Sequence, residues 1–258
     1  MFQSFVTSAA LIAAAVSLLT AGASAQPLEV HFGGQVGLAQ ARLTDMSGSM
    51  YTFNVDIFGG HDVTVTGGNS QYNSGVSFGG WGYYALDPRF GVQLGIFFTQ
   101  QGGRLTQSGS QTVPDPVIPG ISARVQYQFE HNVEIRYVRF PWLAKARFPT
   151  RHVTPFVKLG PDIGILTSAR RETTGFYAEP PGSASVPIRE FEDDEGRFRR
   201  VDVALHLAAG VDVPVRPGAA YAEVAYSFGL GDVNKSTAGI FPSGVKNSVL
   251  FVSVGFSY

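Results

Sequence analysis

Apolar and polar residues alternate with a period of two along most of this chain, most cleanly at its end. In residues 249–258, Leu250, Val252, Val254, Phe256 and Tyr258 share one side of an extended strand, and Val249, Phe251, Ser253, Gly255 and Ser257 share the other. The same alternation recurs near residues 28–40, 72–86, 90–99, 133–148, 153–165, 201–215 and 220–230. In the stretch from 201, Val201, Val203, Leu205, Leu207, Val211 and Val213 oppose Asp202, His206 and Asp212. The stretch from 133 is the least regular. Its Glu134, Arg136, Arg139, Lys145 and Arg147 do not share one face, and a bulge at Pro141, which cannot donate to a ladder, is expected to switch the phase.

The connections alternate too. Asp87-Pro88-Arg89, Pro149-Thr150-Arg151 and Arg216-Pro217-Gly218 are tight turns, whereas residues 43–71, 106–120, 170–200 and 232–246 are long and polar. Residues 121–129 alternate again and are expected to form a hairpin extension. This rhythm predicts an all-β fold, an eight-stranded antiparallel up-and-down transmembrane β-barrel with short periplasmic turns and long extracellular loops. A soluble barrel would need the opposite polarity, which would leave Asp202, His206 and Asp212 on a surface otherwise made of Ala and Gly. Trp81, Tyr83, Tyr84, Tyr137, Trp142, Tyr226 and Tyr258 are candidates for the aromatic girdles at the two membrane interfaces.

The first residues read as a secretory signal. An apolar run from Ala9 to Leu19 precedes the small-x-small site Ala23-Ser24-Ala25, although no Lys or Arg precedes it. The expected organisation is therefore a signal peptide at 1–25 and an outer-membrane β-barrel at 26–258, in the bacterial outer membrane after cleavage. With 20 acidic and 19 basic side chains, the chain carries no footprint for nucleic acid. It contains no cysteine, which excludes disulfides, thiolate metal sites and a cysteine nucleophile.

Several stretches resemble one family. These are Gly91-Val-Gln-Leu-Gly-Ile-Phe-Phe-Thr-Gln-Gln-Gly102, Tyr137-Val-Arg-Phe-Pro-Trp-Leu-Ala-Lys145, Pro155-Phe-Val-Lys-Leu-Gly-Pro161 and Tyr226-Ser-Phe-Gly-Leu-Gly-Asp232, together with the C-terminal alternation. In order and spacing the chain resembles the PorT-like outer membrane protein beta-barrel domain family of Gram-negative bacteria. The resemblance implies an eight-stranded barrel and brings no catalytic residue set. Arg139 before the proline and the lengthened 170–200 segment depart from the family pattern.

Eight strands enclose a lumen just wide enough for its own side chains, so a general pore is not expected. The predicted lumen holds Glu29, His31, Glu134, Arg136, Lys158, Asp162, Asp202, His206, Asp212 and Glu223, a buried network of charge pairs. Its sharper alternative is a proton or ion path through His206. Arg170, Arg171, Arg197, Arg199 and Arg200 would lie near the external interface, in reach of lipopolysaccharide phosphates. Glu192 to Glu195 lack the ordered spacing of a calcium loop, and neither metal nor cofactor is expected. Val254, Phe256 and Tyr258 form the C-terminal strand signal for the barrel assembly machinery. None of His31, His61, His131, His152 and His206 sits in a nucleophile signature, so the chain is expected not to be an enzyme. The expected role is structural or in surface interaction, with membrane lipids and an extracellular or envelope protein as partners. The alternative is a lipid-modifying enzyme or a narrow channel.

Overall fold

Val30–Thr44 shows how sequence becomes structure in this protein. Val30, Phe32, Val36 and Leu38 lie exposed on one side while Ala39, Ala41 and Leu43 are buried on the other. An alternating run can satisfy both faces only as a strand in a closed wall with apolar surroundings outside and a filled interior. In the computed structural model the described residues are 29–44, 49–55, 61–114, 120–178, 184–235 and 244–258. The signal-peptide reading of 1–25 lies outside them.

The strands are β1 (Val30–Thr44), β2 (Met50–Val55), β3 (His61–Thr66), β4 (Asn69–Gln71), β5 (Asn73–Ala85), β6 (Phe90–Pro114), β7 (Ser122–Arg147), β8 (Thr154–Ala178), β9 (Ser185–Asp193), β10 (Val201–Val215), β11 (Gly218–Gly229) and β12 (Lys246–Ser257). β1, β5, β6, β7, β8, β10, β11 and β12 follow one another around a ring closed by antiparallel pairing of β12 with β1 and β8 with β10. This is the eight-stranded antiparallel barrel. Its outer surface is a belt of exposed apolar side chains, among them Phe32, Leu38, Leu94, Ile96, Trp142, Leu159, Ile163, Val203, Leu207, Val224, Val252 and Val254. Some inner aromatics close over glycine: a Cβ at Gly33 would collide with the Trp81 ring, and one at Gly255 with the Tyr221 ring.

β6, β7 and β8 run for 25, 26 and 25 residues, roughly twice the 12 of β11 and β12. Their upper halves stand beyond the apolar belt at the long-loop end and are joined there by β9, which pairs with β8. Much of 106–120 and 170–200 is thus strand where loop was expected. Ladder bonds satisfy the polar backbone of these segments, and one face of each finds apolar cover. That cover is the β2–β3 hairpin, whose Tyr51, Phe53, Val63 and Val65 pack on Leu105, Phe129, Val133 and Tyr177 inside the extended wall.

The expected phase switch at Pro141 does not occur. β7 keeps one parity throughout, and the irregularity lies opposite Arg136/Tyr137, where Thr167 of β8 is left over and donates its hydroxyl to the Arg136 carbonyl at 3.0 Å. The bulge moves the inward parity of β8 from Lys158 and Asp162 to Arg171 and Thr173. Because β7 keeps its parity, Glu134 and Arg136 lie on the outer face, paired with each other at 2.6 Å, and not in the lumen. Trp81, Tyr83 and Tyr137 are likewise buried inside rather than placed in a girdle, because each shares the parity of the inward residues on its strand.

Candidate functional site

The barrel interior is built from inward positions on all eight strands of the ring. Arg139 of β7, 2% exposed, donates from Nε to Asp162 Oδ2 at 2.8 Å; its other nitrogens reach Asp202 at 3.7 Å and Ser227 Oγ at 3.3 Å. His206 Nδ1 lies 3.7 Å from Asp162. Nearer the short-turn end Lys158 pairs with Glu223, and Lys145 donates to Asp212 at 3.1 Å. Both ammonium groups sit over the Phe156 ring, at 4.0 Å for Lys145 and 4.8 Å for Lys158. Trp81 Nε1 donates to Tyr221 Oη at 2.7 Å, and that hydroxyl donates to Gln35 Oε1 at 2.9 Å. The space left among Gln35, Arg139, Asp162 and His206 is about 30 Å³, room for about one water.

At the long-loop end the hairpin covers a second buried set. Tyr51 stands edge-on to Phe129 and His131, with ring centroids 5.1 and 4.7 Å apart, and donates its hydroxyl to Glu190 of β9 at 3.2 Å. His131, fully buried, shares hydrogen bonds with Thr173 Oγ1 at 2.9 Å and Gln107 Oε1 at 3.0 Å. Burial, and then the Arg171 charge, lower its pKa from 6.5 to about 4, so it is neutral near pH 7. Burial also raises the Tyr51 hydroxyl, helped by Glu190. Arg171 bridges Glu192 and Asp194, the latter at 3.5 Å, and Arg197 reaches Asp194 at 3.4 Å. Burial pushes the Asp194 carboxyl up against the pull of these arginines.

The structure brings Lys158, Asp162, Asp202, His206, Asp212 and Glu223 together inside the barrel. Glu29 is exposed ahead of β1, and His31 lies on the inner side near the Tyr83 ring. The centre of the network, Arg139, was missed, as was Lys145. Both have the odd parity of the other inward residues of β7, and that parity was the available signal. Of the five arginines assigned to lipopolysaccharide, Arg171 is withdrawn, because it is buried and bound to Glu192 and Asp194. Arg197 is tied to the same acids, while Arg170, Arg199 and Arg200 are exposed. Val254, Phe256 and Tyr258 lie on the outer face of the terminal stretch. Among the described residues no group of three His, Asp or Glu side chains is placed to hold a metal ion.

A family model described as an outer membrane protein beta-barrel domain matches residues 23–235. Similar solved structures include Neisserial surface protein A, at 15% identity and TM-score 0.37 over 88% of this chain and 95% of that one. OprG from Pseudomonas aeruginosa is 13% identical with TM-score 0.38, over 90% and 97%. The search of curated proteins finds no match. The outer membrane protease OmpT from Escherichia coli also matches, at 13% identity and TM-score 0.33 over 91% and 99%. An enzyme therefore stands among the matched barrels, which corrects the expectation that this chain is not one; the likeness assigns it no activity.

Proposed function

The chain belongs to the outer membrane protein beta-barrel domain family, and from that premise we propose that it is a closed outer-membrane scaffold whose external wall recognises an extracellular or envelope protein. The observation that carries this reading is the wall itself. β6 to β9 rise beyond the apolar belt, and the β2–β3 hairpin stiffens them from within, leaving their outer face for contact. On that face Phe191 is 67% exposed, and Arg189, bound to Glu172 at 2.8 Å, lies 5.0 Å over its ring. An exposed aromatic beside an arginine on a rigid strand is the composition of a recognition anchor. A lumen filled by ion pairs accords with a scaffold better than with a general pore.

On the same reading residues 1–25 are removed as a signal peptide, leaving 26–258 as the mature barrel of a PorT-like member. The strand ending Val254, Phe256 and Tyr258 is read by the barrel assembly machinery, and Arg170, Arg199 and Arg200 meet lipopolysaccharide. The test is capture of a partner by the intact embedded protein, compared with a Phe191→Ser, Arg189→Glu variant that leaves the inner face of β9 unaltered. Loss of one specific partner with the barrel still folded supports recognition by the wall. Capture that is identical in both proteins, or absent from both, contradicts it.

A further inference from the structure

At the short-turn end the lumen opens into a cup of about 390 Å³. Trp81 and Tyr83 give it aromatic walls; Lys145, Arg147 and Asp212 are its charged side chains, with His31 beside Tyr83. The Lys145–Asp212 bridge and the Trp81–Tyr221 hydrogen bond close its inner end, and the Lys158–Glu223 pair lies beyond them. The cup is a dead end.

Lys145 and Arg147 are alternate residues of β7, so they face the same way about 7 Å apart along the strand. Lys145 gives Asp212 one hydrogen bond and has two further N–H groups to give. The Arg147 guanidinium lies 5.9 Å from the Tyr83 ring. Its Nε is shut off from water and has no hydrogen-bond acceptor among the described residues. The terminal nitrogens of Arg147, which lines the cup, can donate to an oxyanion held between the two cations. Among the lining side chains the two cations, Lys145 and Arg147, outnumber the one carboxylate, Asp212.

We propose that this cup binds a small monoanionic carboxylate carried on a ring-sized body, a sugar acid or an aromatic acid. The carboxylate lies between Lys145 and Arg147, where the guanidinium offers a fork of donors, and the ring lies against Trp81 and Tyr83. The volume suits such a ligand. The site faces away from the external wall and stands or falls independently of recognition there.

The chain has two tryptophans, so Trp142→Phe leaves Trp81, in the cup wall, as the sole reporter. The full chain in detergent micelles is titrated at constant ionic strength with glucuronate, benzoate, neutral benzamide and inorganic phosphate. The expected result is a saturable change in Trp81 fluorescence with at least one carboxylate and none with benzamide. Arg147→Gln should weaken it at least about tenfold, the scale of one lost hydrogen bond to a charged group, and Arg147→Lys should recover part of the loss. The proposal is overturned if neither carboxylate saturates, if benzamide competes equally, if phosphate alone binds, or if folded Arg147→Gln binds unchanged. Should Arg147→Gln not fold, the carboxylate-against-benzamide comparison in the otherwise native protein still decides.

Discussion

Arg139 is the residue on which the interior turns. It neutralises Asp162 and Asp202 at once, and both carboxylates are buried with it. Removing one partner of a buried ionic set leaves the others uncompensated, which costs more than the set itself contributes. Arg139→Ala should therefore destabilise the barrel by about 3–5 kcal/mol, whereas adding Asp162→Asn and Asp202→Asn to the same variant should recover most of the loss. Denaturant unfolding in micelles measures both. If the single variant costs less than about 1 kcal/mol, the interior is better hydrated than this account holds.

The β2–β3 hairpin is the element with the most to reveal, because one titrating side chain lies beneath it. His131 carries a pKa of about 4 in the fold against 6.5 when unperturbed, so the unfolded cap binds more protons between those values. The stability it confers is complete above about pH 6.5 and is lost as pH falls towards 4, a difference on the order of 3 kcal/mol. Asp194, its carboxyl pushed up by burial, works in the opposite sense, so the comparison must be with His131→Gln. Hydrogen exchange of β2 and β3 should rise between pH 7 and pH 4.5 in the native protein, and rise much less in His131→Gln. Exchange that does not depend on pH contradicts the assignment. This element also marks where the sequence stops being legible. Val63, Val65, Tyr51 and Phe53 alternate, yet they sit in a polar, Gly-rich segment, and nothing local shows that the extended wall will supply their cover. The barrel strands were readable because lipid and lumen impose opposite demands on successive residues. In β7 that reading failed for Glu134 and Arg136, since above the belt the contrast reverses: Phe129, Val133 and Ile135 face the apolar cap within, and the even-numbered polar residues between them face out. Several of the ion pairs join strands that do not adjoin in the wall, such as Lys158 of β8 with Glu223 of β11, with β10 between them, and no local pattern announces them.

For the whole molecule, the account rests on orientation: apolar side chains turned out towards lipid, charged and aromatic ones turned in on a filled axis. The two tryptophans report on it from opposite faces, Trp142 exposed on the belt and Trp81 buried in the lumen with its Nε1 bound to Tyr221. The most direct test reconstitutes Trp81→Phe and Trp142→Phe separately into bilayers of lipids brominated along their acyl chains and measures tryptophan fluorescence in each. Strong quenching when only Trp142 remains, with little when only Trp81 remains, is the predicted result; equal quenching of the two, or stronger quenching of Trp81, would contradict it.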